Sequence, residues 1–164
     1  MGRLSLLLGV TVGLSIVHYT DNWRSFEKYP RTDGPIELTA DVIWISWIVF
    51  TVGALAGWLL YRRGDRLKAS FALAFYSLSG LVSIGHYAAP GMSELAWWRH
   101  VFIWADIVLG ALVLAFALRT AAEARRASFS DRGSAFTRAS SRRAADSSGS
   151  SNTAASSTGS RDRV

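Results

Sequence analysis

Histidine and carboxylate side chains carry most of the chemistry this chain offers. There are three histidines, His18, His86 and His100, and no cysteine. Asp21 and Asn22 follow His18 by about one helical turn, and Asp106 follows His100 by six residues. Neutral imidazoles with a carboxylate suit zinc, copper or iron, so His18, His86, His100 and Asp106 form a candidate metal set. Two imidazoles on facing helices also suit haem. The lack of cysteine excludes thiolate ligation, disulfides and a covalent haem link. The same groups can instead hold a small ligand or exchange a proton. The ligand-binding candidates are His18, Asp21, Asn22, His86, His100 and Asp106. No His-x-x-x-His pair is present, so any such site exists only if the fold brings separate helices together.

Four apolar stretches must do that positioning, at residues 4–19, 42–61, 69–88 and 101–118. A membrane-crossing helix needs about 20 mostly apolar residues, and a segment in lipid must satisfy its backbone internally. No charged residue lies between Val42 and Tyr61, or between Ala69 and Ala88. A water-soluble bundle would alternate apolar and charged faces there. The expected fold is all-α: an integral membrane four-helix bundle, up-down-up-down, with a disordered C-terminal tail. Helices are expected at about 4–22, 41–61, 68–88 and 98–122, forming one domain over 1–126. Arg3 and the apolar run after it resemble a signal peptide. No small-residue cleavage pattern follows, so an uncleaved first helix is expected.

Basic residues set the orientation, because Lys and Arg favour the cytoplasmic side. Arg3, the loop Arg62–Lys68 and everything after Leu118 hold 14 of the 18 basic residues. Both termini are therefore expected in the cytoplasm of a plasma-membrane protein, with the 20–40 and 89–99 loops outward. The net charge of +6 is a sum over loop and tail. No base-reading module accompanies it, so membrane lipids rather than nucleic acid are the expected partners. From 127 to 164 the chain is rich in Ser, Ala and Arg, and disorder is expected there.

Periodicity places the polar groups on particular faces. Thr11, Ser15, His18 and Asn22 recur at steps of four, three and four; Tyr76, Ser79, Ser83 and His86 recur at three, four and three. Asp106 sits within the fourth stretch, where an ionisable group usually faces the bundle interior beside a partner. A histidine from another helix is the expected partner, with Arg99 the alternative. Gly53 and Gly57 form a Gly-x-x-x-Gly step that lets the second helix approach a neighbour closely, within the bundle or in a homo-oligomer. Trp44, Trp47 and Trp104 fall near the histidines and could line a cavity there, though an interfacial aromatic belt explains most of the tryptophans. The 21–41 loop, with Trp23, Phe26 and Tyr29, is expected to cap the polar cluster.

His18-Tyr19-Thr20-Asp21-Asn22 and Gly85-His86-Tyr87 are the local signatures. In architecture the chain resembles the emopamil-binding, sterol-isomerase-like membrane proteins, which also set acidic and histidine groups within membrane helices. No motif of that family aligns here, so the resemblance carries over no catalytic role. Without a catalytic constellation, the expected function is that of a non-enzymatic accessory or structural membrane protein, with a membrane protein partner. Binding of a metal, haem or small ligand at the His/Asp cluster is the alternative. An enzyme acting on a lipid-like substrate, with Asp106 and a histidine as acid and base, is the further alternative.

Overall fold

A computed structural model describes residues 2–29 and 39–153, with side chains through Ser130. The order is α1 (Arg3–Arg24), a 3-10 turn (Phe26–Lys28), α2 (Ala40–Arg62), α3 (Arg66–Leu81) continued by a 3-10 segment (Val82–Ala88), a second 3-10 turn (Met92–Glu94) and α4 (Trp97–Thr153). No strand occurs among the described residues. Four helical segments are long and apolar enough to cross a membrane: Arg3–Arg24, Ala40–Arg62, Arg66–Ala88 and Trp97–Ser130. The chain divides into two compact units, 1–124 and 125–164.

Within the first unit the buried residues follow heptad steps. On α1 the stripe is Leu4, Leu8, Thr11, Ser15, His18 and Asn22, with Tyr19 buried beside it. On α4 they are Arg99, Ile103, Asp106, Gly110, Val113, Ala117 and Thr120. Steps of three and four keep one stripe of a helix against its neighbours, as bundle packing requires. One core cluster joins Leu4, Leu8, Ala54, Leu73, Tyr76, Val113 and Ala117. A smaller one joins Tyr29, Met92, Leu95 and Ile103, so the connections after α1 and before α4 fold together.

Small residues set the closest helix approaches. A Cβ on Gly57 would stand 2.7 Å from the Leu73 side chain, and one on Gly53 2.8 Å from Phe75. Both glycines therefore serve α2–α3 packing within the chain. The tighter approach is Gly80 against α4, where a Cβ would run into the Asp106 carbonyl oxygen. Opposite it, a Cβ on Gly110 would lie 2.9 Å from the Ser77 carbonyl oxygen. These two glycines are 30 residues apart and form no local motif. Gly64, at φ +85°, turns α2 into α3 in a conformation that favours glycine.

The surface is apolar and much of the interior is polar. Leu6, Val10, Ile45, Val52, Leu55, Phe71, Ile84 and Leu118 are among the exposed side chains, whereas Thr11, Ser15, His18, Asn22, Ser77, Ser79, Arg99 and Asp106 are buried.

The second unit is helical over its described residues. The fourth helix, expected over about 98–122, runs on through Thr153. Alanine and arginine, both good helix formers, recur through this stretch and no proline interrupts it. The last 11 residues of the expected tail, 154–164, lie outside the described residues.

Candidate functional site

The heptad stripe of α1 ends in the site. Its first polar members are already satisfied. Thr11 Oγ1 donates to the Leu7 carbonyl at 2.7 Å, and Ser15 Oγ donates to the Val12 carbonyl at 3.0 Å. Ser15 also accepts from Trp47 Nε1 at 3.0 Å, which ties α1 to α2. Tyr19 reaches across to α3, donating to the Ser79 carbonyl at 3.0 Å. These contacts are structural, of the kind that joins helices in an apolar surround.

His18 and Asn22 are different. The Asn22 amide nitrogen lies 3.2 Å from His18 Nε2 and 3.5 Å from His86 Nε2. One NH2 group thus addresses two imidazoles. With both ring Nε2 atoms accepting, each neutral imidazole carries its proton on Nδ1. The His18 and His86 rings meet edge to face at 5.9 Å. The 3-10 segment makes this meeting possible. In a 3-10 helix residues three apart eclipse, so His86 follows buried Ser83 toward α1.

Hydrogen-bonding capacity is left over here. His18 Nδ1, Asn22 Oδ1 and both Asp106 carboxylate oxygens are buried without a partner, and the Tyr76 hydroxyl also lacks one. Asp106 Oδ2 stands 3.9 Å from His18 Nε2, beyond hydrogen-bond reach. Both side chains are 1% exposed. Buried polar groups are nearly always paired, and an idle one costs about 1–3 kcal/mol.

Asp21 has a separate occupation. Arg99 donates to it through Nε at 2.9 Å and Nη2 at 3.3 Å. The Tyr29 hydroxyl donates at 2.7 Å and Ser25 at 3.3 Å. The Arg99 guanidinium also lies 5.1 Å from the Tyr29 ring centroid and 4.8 Å from that of Trp98. Burial, and then the hydrogen bond it gives Asp21, hold the Tyr29 phenol above its ordinary pKa. Tyr29 therefore remains a donor. The cluster fastens the chain after α1 to the start of α4.

Beneath that fastening lies a cavity of about 420 Å3. His18, Asn22, Ser46, Ser83 and His86 give it polar patches, while Val42, Ile43, Phe50, Val82 and Ala89 make it mainly apolar. Phe26 and Tyr29 also line it, as the capping expectation for this loop required; residues 30–38 of the loop lie outside the described residues. Asp106 does not line it, and contacts the site through His18.

The structure thus brings His18, Asn22, His86 and Asp106 together, with Asp21 close by but engaged. It leaves His100 out. That ring stacks on Tyr87 at 5.8 Å, with Nδ1 3.2 Å from the Tyr87 hydroxyl. Six residues on an α-helix amount to a turn of about 240°, so His100 and Asp106 cannot share a face. Arg99, seven residues before Asp106, does share it, but pairs with Asp21 instead. The four-residue metal set is accordingly not assembled. Among the described residues no group of three or more His, Cys, Asp or Glu is placed to hold a metal ion. Nor do tryptophans line the cavity: Trp47 binds Ser15 and stacks on Trp44 at 4.9 Å, and Trp104 lies against Tyr87 at 5.7 Å. The residues that sequence reasoning missed are Val42, Ile43, Ser46 and Phe50. Within an unbroken apolar run they carry no mark that separates cavity wall from lipid face. Comparison of the chain with known protein families, with curated proteins and with solved structures finds no match.

Proposed function

We propose that this chain is a small-molecule-binding membrane protein whose cavity takes a compact, mainly apolar molecule bearing one hydrogen-bonding end. The observation that carries this reading is the cavity wall itself. A chamber of about 420 Å3, largely apolar, meets the Asn22-bridged pair His18 and His86 beside idle polar atoms. Binding sites commonly combine an apolar wall with a few convergent polar groups. The Asn22 amide and the His86 imidazole at the cavity wall would hold the ligand's polar end. A purely structural accessory role, the first expectation from sequence, leaves both the cavity and these groups without purpose.

Membrane insertion is part of the proposal. Apolar side chains outside and polar ones inside suit lipid as the solvent. The up-down-up-down order is supported by contacts that run in opposite directions. Ser5 meets Trp58 while Ser15 meets Trp47, and Gly53 meets Phe75 while Gly57 meets Leu73. The excess of Arg and Lys on the Arg3, Arg62–Lys68 and post-Leu118 side supports cytoplasmic termini in the plasma membrane. The cavity then opens near the outer face, where an apolar ligand enters from lipid.

The test is a melting series on purified protein stripped of its bound lipid and ligand by extensive detergent exchange, with palmitic acid, farnesol and a short-chain quinone. A ligand at about 100 times its Kd stabilises the folded state by about 2.7 kcal/mol. At least one of these probes should raise the melting temperature of the wild type, and much less that of Asn22→Leu. A wild type that responds to none of them overturns the reading.

A further inference from the structure

A second cavity, of about 750 Å3, lies at the opposite end of α1. Three helices contribute to it, and each brings an arginine: Arg3 from α1, Arg62 from α2 and Arg119 from α4. Glu123 is the single acidic residue in its wall. Among the described residues none of the three arginines pairs with a carboxylate. All three arginines are exposed at the cavity's mouth, and an anion placed among them relieves their mutual repulsion.

Further features favour an anion at this place. The N-cap of α1 is Gly2, which offers no side-chain cap. The first N–H groups of α1 therefore lack intrahelical acceptors and carry the positive end of the helix dipole. Gly2 and Ser5 both line the cavity. Thr120, only 4% exposed, lines it too, and its hydroxyl has no partner among the described residues. The wall is also built to hold its shape. Trp58 Nε1 donates to Ser5 Oγ at 3.1 Å, and the Arg62 guanidinium sits 4.9 Å from the Trp58 ring centroid. Tyr61 packs on Phe116 at 5.5 Å.

We infer that this cavity binds a phosphate-bearing anion, namely the head group of an anionic phospholipid. A guanidinium donates two parallel N–H groups to phosphate oxygens, and three of them line this one cavity. The aromatic wall of Trp58, Tyr61 and Phe116 suits the glycerol and first acyl carbons, which free phosphate lacks. The inference is independent of the ligand proposed for the His18 cavity, because the two sites share no residue.

The test is native mass spectrometry of the full chain, delipidated in detergent and titrated with phosphatidylglycerol or phosphatidylcholine. The phosphatidylglycerol adduct should form with at least five-fold higher affinity than the phosphatidylcholine adduct. The double change Arg62→Gln, Arg119→Gln should reduce it at least ten-fold. Arg63→Gln, equally exposed but outside the cavity, should leave it unchanged. Melting curves confirm that the variants stay folded. Millimolar inorganic phosphate should compete only weakly. Should phosphate bind as well as the lipid and displace it fully, the site is one for free phosphate and the lipid assignment fails. Equal affinity for the two lipids, or no loss in the double variant, overturns the inference altogether.

Discussion

Removing the Arg99 guanidinium should loosen the site end of the bundle by a predictable amount. Asp21 receives four donors: two from Arg99, one from Tyr29 and one from Ser25. The Arg99 side chain is 9% exposed and that of Asp21 18% exposed. Breaking a fully buried pair costs about 3–5 kcal/mol, because the charge left behind has no partner. In Arg99→Gln the carboxylate keeps two hydroxyl donors and some water, so the cost falls to about 2–3 kcal/mol. That is roughly 30- to 150-fold in the unfolding equilibrium. Asp21→Asn should cost a similar amount. The double variant should cost much less than the sum, since neither charge then remains stranded. The assay is a double-mutant cycle on detergent-solubilised protein, read as unfolding in rising denaturing detergent. Tyr29 keeps its bond to the Asp21 carboxylate in Arg99→Gln and loses that charged acceptor in Asp21→Asn, so the ligand-induced melting shift should fall more in Asp21→Asn. Additive single effects, or an Arg99→Gln change within about 0.5 kcal/mol of wild type, would refute the reasoning.

Other perturbations separate the contacts that matter from those that do not. Gly80→Ala drives a methyl group against the Asp106 carbonyl and should cost about 1–3 kcal/mol, measured in the same unfolding assay. Gly13→Ala meets nothing within 4 Å and should be neutral or mildly stabilising. Trp47→Phe removes the indole donor to Ser15 and should cost about 0.6–2 kcal/mol, with altered fluorescence from the Trp44 stack. The phenol of Tyr29 has a folded-state pKa raised above its unfolded value of about 10. Its contribution is therefore complete below pH 10 and declines as pH rises past that value. Melting temperatures from pH 8 to 11 should fall more steeply for wild type than for Tyr29→Phe. His100→Ala should leave probe binding within two-fold of wild type, as its ring bonds Tyr87 and lies outside the cavity.

The stripes on α1 and α3 were legible in the sequence because burial there follows helical period. Thr11, Ser15, His18 and Asn22 all turn inward, and the Asp106 carboxylate lies near His18 of another helix, at 3.9 Å, without a hydrogen bond between them. The four apolar segments were legible for the same reason. His100 was misread because proximity to one end of the bundle says nothing about helix face; the angle to Asp106 already separated the two. Asp21 and Arg99 are 78 residues apart, and their pairing depends on how two connections fold together. No local pattern encodes that. The Gly80–Gly110 approach escaped notice because each glycine stands alone on its own helix. The continuation of α4 to Thr153 carries no apolar stripe that would mark it, since serine, alanine, glycine and arginine dominate there.

The most direct test of the account is to extract the purified protein with organic solvent and weigh what comes out by liquid chromatography and mass spectrometry. The wild type should release one mainly apolar compound, with a single polar end, at near one molecule per chain. Ser46→Trp, which fills the cavity from the α2 side, should release almost none while melting normally. The same compound at equal yield from both proteins, or none from the wild type, would contradict the claim that the His18 cavity is a binding site.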